Sequence, residues 1–168
     1  DHVKEADQYA RDLSHGLIPV DVEANGLTEA LRRLSQNAVR MFDVACSFRE
    51  VDTVLVHNNT VATHLYRIAQ EAVSNAVRHG EADDIKIVLA SGDEQIRLQV
   101  RDEGTGFDPD MPDGSGMGVH IMEYRARIIG GALEIKSDLG AGTVVTCTIP
   151  RTADVAADEE PASVPAAS

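Results

Sequence analysis

Three short stretches of this 168-residue chain carry residue types that could handle a phosphorylated ligand. Within residues 60–78, Glu71, Asn75 and Arg78 recur at i, i+4 and i+7, which puts a carboxylate, an amide and a guanidinium on one side of a helix. His79 flanks them. A polar stripe of this kind is also what a helix presents to water. Residues 102–107, Asp-Glu-Gly-Thr-Gly-Phe, follow directly on a segment of strand-like alternation. An Asp at a strand end before Gly-x-Gly fixes one carboxylate and lets backbone approach a ligand where a Cβ would collide, though two glycines are also a common way out of a sheet. Residues 114–118, Gly-Ser-Gly-Met-Gly, run into a helical pattern, so free N–H groups and the positive end of a helix dipole face an anion such as phosphate. Neither GxxxxGK followed by Ser or Thr nor GxGxxG in a βαβ unit is present, so the common phosphate cradles are excluded.

The elements that must position these residues are read from periodicity. Residues 1–15 carry an apolar stripe at Val3, Ala6, Ala10, Leu13 and Leu17, ended by Gly16 and Pro19, and 17–26 form a connector. A second amphipathic helix covers 27–41 and a short strand 44–49. The third helix, 60–78, repeats Val61, Leu65, Ile68, Ala69, Ala72, Val73, Ala76 and Val77 at a strong 3.6 period. After Gly80 the period becomes two: 85–90 and 95–101, around the turn Ser91-Gly92-Asp93, form a hairpin. Residues 103–118 are too rich in Gly, Asp and Pro to be regular, 119–129 are helical up to Gly130-Gly131, and 132–137 with 143–150 form a second hairpin. The order α-α-β-α-β-β-loop-α-β-β predicts an α+β fold, two layers with a mixed or antiparallel sheet covered by helices on one face. Residues 151–168 show no periodicity and read as a disordered tail.

Composition narrows the function classes. The net charge of −13 repels phosphate backbones and anionic lipid, so neither nucleic acid nor a membrane is expected as a partner. No apolar stretch approaches the roughly 20 residues that span a bilayer. Cys46 and Cys147 stand alone, which suggests neither a zinc site nor a disulfide framework and fits a reducing cytoplasm. The chain opens at Asp1 inside a helical pattern, so it is expected to be a piece of something longer.

Taken in order and spacing, the three stretches resemble the GHKL family of ATPases, specifically the ATP-binding catalytic domain of bacterial sensor histidine kinases. The resemblance covers residues 27–150. Residues 67–79, Arg-Ile-Ala-Gln-Glu-Ala-Val-Ser-Asn-Ala-Val-Arg-His, look like the family's N box, 102–107 like its first glycine box and 114–118 like its second. Gly140-Ala141-Gly142-Thr143, before a strand ending at Ile149-Pro150, resembles the closing segment. Tyr124-Arg125-Ala126-Arg127 points to the branch with a compact dimerisation domain. Glu103 stands where Asp or Asn is more usual and Ser74 where Asn often stands; neither is a presumed ligand.

The resemblance implies a Bergerat-type two-layer sandwich at 21–150, preceded at 1–20 by the end of a dimerisation-domain helix. It implies ATP and Mg²⁺ as ligands. Asn75 would hold Mg²⁺ with the ATP phosphates and Glu71 would share the metal, orient water or assist transfer; a carboxamide oxygen suits a cation that keeps oxygen ligands and waters. Asp102 would accept from the adenine amino group and Thr143 would lie near it. Arg78 and His79 would offset phosphate charge, with His79 equally able to be a packing residue. Gly104, Gly106, Gly116, Met117 and Gly118 would complete the nucleotide contacts. The implied activity is transfer of the γ-phosphoryl to a His on a dimerisation domain, for relay to a response regulator, with a homodimer in the full-length protein. His15, at a helix end, and His2 make poor acceptors, so the acceptor is expected elsewhere. An anti-sigma-factor-type serine kinase and a non-catalytic nucleotide-binding module are the alternatives.

Overall fold

The computed structural model describes residues 23–110 and 116–156. The expected helix over 1–15 with His2 and His15, the middle of the inter-box segment with Gly114, and residues 157–168 lie outside them.

After a single 3₁₀ turn, Ala24–Gly26, the elements are α1 (Leu27–Phe42), β1 (Ala45–Val51), α2 (Asn59–Arg78), β2 (Asp84–Ser91), β3 (Gln95–Asp102), α3 (Met117–Ile128), β4 (Ala132–Asp138), β5 (Gly142–Pro150) and α4 (Arg151–Ala156). The strands form one sheet in the order β1-β2-β3-β5-β4. β1 and β2 are parallel, joined through α2, and the other pairs are antiparallel. The mixed sheet follows from chain order: a strand returning through a helix can lie parallel to its neighbour, whereas the tight turns at 92–94 and 139–141 admit only antiparallel partners.

Alternation decides which side is covered. Ile85, Ile87 and Leu89 on β2, Ile96, Leu98 and Val100 on β3, and Val145, Cys147 and Ile149 on β5 are buried toward the helices, while Lys86, Arg97 and Arg101 between them face water. Against this face pack Leu31 and Leu34 of α1, Leu65, Ile68 and Val73 of α2, and Met122 and Ala126 of α3, with α2 in contact with both other helices. The two-layer expectation holds, and the boundaries shift by small steps. α3 starts at Met117 rather than 119, which brings Gly118 into its first turn.

Residues 151–156 are not part of a disordered tail. They form α4, in which Asp154 is 1% exposed and its two carboxylate oxygens accept the backbone N–H groups of His57 (2.8 Å) and Asn58 (3.1 Å). Those groups lie at the start of α2, where Asn58 is the N-cap and its side-chain oxygen accepts from the Val61 N–H. Arg151 adds a backbone bond to the Glu94 carbonyl and a side-chain bond to that of Gly92. A six-residue segment without an apolar period is held because its polar groups satisfy buried backbone, and composition alone does not reveal this.

Candidate functional site

β3 delivers Asp102 with the same parity as Ile96, Leu98 and Val100, so its carboxylate emerges on the covered face at the end of an apolar row. Thr143 is its register partner on β5, and Ser137 is the register partner of Thr143 on β4. Three polar side chains thereby meet at one end of the core. Ser137 Oγ lies 2.8 Å from Thr143 Oγ1, donates to the Gly142 carbonyl and accepts the Phe107 N–H at 2.8 Å. The Gly104 N–H donates to Asp102 Oδ1 at 2.9 Å. Burial raises the Asp102 pKa above its usual 3.8, and the backbone N–H groups of Gly104 and Thr143 pull it back.

Next to this carboxylate is a cavity of about 450 Å³, lined by Asp102 and Thr143 at one end, by Val100, Met122, Ile135 and Val145 as apolar walls, and by Asn75, Arg78 and His79 from the last turns of α2. Gly106, Gly116, Met117 and Gly118 close it from the loop side. Apolar walls beside one buried carboxylate fit a heteroaromatic ring carrying an amino group. The α2 end is built for anions. Arg78 Nη2 is 3.5 Å from Asn75 Oδ1 and 3.8 Å from Glu71 Oε1, and Arg78 Nε is buried without a hydrogen-bond partner among the described groups. The N-terminus of α3 has Gly116 as its N-cap, a residue with no side chain to cap the first N–H groups.

Of the residues expected from sequence, Asn75, Arg78, His79, Asp102, Gly106, Gly116, Met117, Gly118 and Thr143 line the cavity, whereas Glu71 and Gly104 stand just behind it. A Cβ on Gly118 would fall 2.2 Å from Glu71 Oε1, which puts that carboxylate directly against the first turn of α3. A Cβ on Gly104 would fall 2.2 Å from the Gly80 carbonyl, so the loop after β3 lies on the C-terminus of α2. This loop is irregular, as its composition predicts, yet it is tied down: Thr105 N–H bonds Gly80 O at 2.7 Å and Gly140 N–H bonds Thr105 O at 2.7 Å. Ser137 escapes the sequence reading. Its only local signal is parity with Leu133 and Ile135, a polar residue ending an apolar alternation. Among the described residues no three His, Cys, Asp or Glu side chains gather as a metal-ligand set, so a divalent cation here would depend on the Asn75 oxygen and the ligand's own oxygens.

Residues 60–153 match the model of the histidine kinase-, DNA gyrase B- and HSP90-like ATPase family. Sensor histidine kinase LiaS of Bacillus subtilis is 36% identical over 146 residues, covering 87% of this chain and 40% of that protein. Oxygen sensor histidine kinase NreB of Staphylococcus carnosus is 30% identical over 143 residues, covering 84% and 41%. The chain thus spans about 40% of the length of these curated relatives. Among solved structures, the histidine kinase domain of the Erythrobacter litoralis EL346 blue-light activated kinase superposes with a TM-score of 0.64 at 20% identity, over 94% of this chain and 79% of that one. The ATP-binding domain of PrrB from Mycobacterium tuberculosis gives 0.61 at 21% identity, over 73% and 92%. These two likenesses concern the fold. With the family model matching more than half of the chain, and two relatives at 30% identity or above along most of it, the chain belongs to the histidine kinase-, DNA gyrase B- and HSP90-like ATPases.

Proposed function

We propose that this chain is the ATP-binding catalytic part of a sensor histidine kinase, transferring the γ-phosphoryl of Mg-ATP to a histidine on a dimerisation domain, from which it passes to a response-regulator aspartate. The observation that carries the reading is one cavity that brings together what ATP needs: a buried carboxylate beside apolar walls, with Asn75, Arg78 and the first turn of α3 lining the same space.

Asp102 accepts a hydrogen bond from the adenine amino group, and the apolar walls exclude water from the ring. Guanine would turn a carbonyl toward the same carboxylate and leave it unpaired, at a cost of about 1–3 kcal/mol. The phosphates extend toward Arg78, which gains an acceptor for its orphaned Nε, and toward the first N–H groups of α3. Mg²⁺, held by the Asn75 carboxamide oxygen with Glu71 close by, would neutralise phosphate charge. In the transfer, the bond from the γ-phosphorus to the bridging oxygen breaks with its electron pair kept by ADP. The lone pair of an acceptor imidazole nitrogen forms the N–P bond, and the proton on the other ring nitrogen goes to solvent. Glu71 and Asn75 orient the reactants, since phosphoryl transfer rests chiefly on position and charge.

The landing face for the partner domain is α3, beside the cavity. Met117, Ile121, Tyr124 and Ile128, spaced by four, three and four residues on α3, are all exposed, an apolar stripe suited to a helix. No helix among the described residues is long and apolar enough to cross a membrane.

The test is calorimetric titration of the chain with Mg-ATP and Mg-GTP, followed by incubation with a separate dimerisation domain and γ-labelled ATP. Clear preference for ATP and label on the supplied histidine are expected. Equal affinity for the two nucleotides, or no label on that domain from a chain that binds ATP, would overturn the reading.

A further inference from the structure

Ser137 stands behind the cavity wall at 7% exposure, and its hydroxyl is within hydrogen-bond distance of three groups. The Phe107 N–H, 2.8 Å away, can only donate, and the Gly142 carbonyl, 3.1 Å away, can only accept. The third partner, Thr143 Oγ1 at 2.8 Å, can do either. A serine carries one hydroxyl proton, so the direction of the Ser137–Thr143 bond follows from where that proton goes. With the Ser137 proton on the Gly142 carbonyl, Thr143 donates to Ser137 and its oxygen offers the cavity only lone pairs. With the Ser137 proton on Thr143 Oγ1, the Thr143 proton is released toward the cavity, which Thr143 lines. The two states differ by the rotation of two hydroxyls, because Ser137 and Thr143 already face each other as register partners across β4 and β5.

The ligand decides between them. Thr143 is also the register partner of Asp102 on β3, and its backbone N–H bonds the Asp102 carboxylate. A carboxylate that accepts and a hydroxyl that can donate therefore sit side by side on the covered face of the sheet. Adenine carries the opposite pair on neighbouring positions, an amino group that donates and the ring nitrogen N1 that accepts. Guanine carries a carbonyl and an N–H in those places and mismatches both. Ser137 supports the adenine arrangement twice. Its proton, turned onto Thr143 Oγ1, polarises that hydroxyl and strengthens it as a donor. Its oxygen holds the Phe107 N–H, and Phe107 lines the same cavity.

We propose that Ser137 determines base specificity through Thr143: it gives up its bond to the Gly142 carbonyl, donates to Thr143 Oγ1, and so turns the Thr143 hydroxyl into a donor for adenine N1. Ser137 lies outside the cavity lining and is a positioning residue. The inference rests on the proposed ATP-binding reading, and its test separates the two.

The chain is titrated calorimetrically with Mg-ATP and with the magnesium complex of 1-deaza-ATP, in which C–H replaces N1. Wild type should prefer ATP about tenfold. Ser137→Ala should reduce the preference to about twofold, as should Ser137→Cys, which keeps the size and offers only a weak donor. Loss of the Phe107 anchor weakens both nucleotides alike, so the ratio reads the hydroxyl pair alone. Thr143→Val should show the same reduced preference, and adding Ser137→Ala to it should change the ratio no further. The wild-type ratio retained in Ser137→Ala, Ser137→Cys or Thr143→Val, or a further fall on adding Ser137→Ala to Thr143→Val, would overturn the role of Ser137 and leave ATP binding standing. Equal affinity of the wild type for the two nucleotides would do the same. A wild type that binds neither would overturn the ATP reading as well.

Discussion

Asp102 occupies a position where an aliphatic side chain would serve the fold better. It continues the buried row Ile96, Leu98, Val100 and is only 7% exposed. Because burial raises its pKa in the folded chain above 3.8, the native state holds that proton more tightly than the unfolded state. The resulting stability is present in full below the unfolded pKa and is lost as pH rises through the folded one. At neutral pH the ionised carboxylate therefore costs the nucleotide-free protein stability. Asp102→Asn is expected to raise the melting temperature at pH 7, and the gain should vanish below about pH 4. The same variant should bind ATP roughly tenfold more weakly, since a charge-assisted bond to the adenine amino group is lost. Thermal scans at the two pH values and one ATP titration check both halves. Asn75 is the complementary case. Asn75→Ala leaves the fold intact, because its Oδ1 makes only a 3.5 Å contact with Arg78, yet removes the proposed metal ligand, so phosphotransfer should fall to background.

The junctions between elements set different costs for similar changes. At Gly104 an added Cβ would meet the Gly80 backbone carbonyl at 2.2 Å, and backbone cannot move aside without shifting the end of α2 from β3. At Gly118 the atom met at 2.2 Å is the tip of the Glu71 side chain, which can rotate. Gly104→Ala should therefore destabilise the chain by several kcal/mol, on the order of an overpacked core. Gly118→Ala should keep most of the stability and lose transfer, through displacement of Glu71. Comparing unfolding midpoints with transfer rates for the pair tests this ordering. α4 acts on α2 from the opposite end. Asp154→Ala strands the buried N–H groups of His57 and Asn58 and removes a negative charge from a helix N-terminus, at about 2–3 kcal/mol in all. ATP affinity should change little, because Asn75 and Arg78 lie at the far end of the same helix. A melting temperature unmoved by Asp154→Ala would show that α4 contributes nothing to the fold.

Over the whole molecule, the nucleotide should act as a structural component. The cavity is walled by the sheet, α2, α3 and the loop after β3, so a bound ligand adds contacts to all four at once. Binding only to the folded state adds about 2.7 kcal/mol when ligand exceeds Kd a hundredfold. Mg-ATP should raise the melting temperature of the wild type by several degrees, and that of Asn75→Ala much less. Incubated alone with γ-labelled ATP, the chain should carry no acid-labile phosphate, since transfer needs an acceptor nitrogen within about 3–3.5 Å of the phosphorus. Label that disappeared with His15→Gln would place the acceptor within this chain.

Local sequence determined most of the elements and most of the residues of interest that line the cavity. A 3.6 period over residues 60–78 anticipates α2, Asn59–Arg78, to within a residue at its start, and the switch to period two after Gly80 anticipates β2 and β3. These patterns are legible because one buried face imposes its period on neighbouring residues. The glycine-bearing motifs made Asp102 and Gly118 identifiable before any contact was seen, and the polar stripe of residues 67–79 did the same for Asn75. Tertiary structure alone decided three things, each a meeting of residues far apart in the chain. Ser137 joins Asp102 because β5 inserts between β3 and β4, an order that no alternation within a strand encodes. Asp154 caps residues nearly a hundred positions away, which turned an apparent tail into a helix. Arg125 meets His64 across 61 residues, because α3 returns along α2 after the loop. Periodicity specifies which face a side chain takes; which other face it meets is set by long-range pairing, whose energy belongs to no single segment.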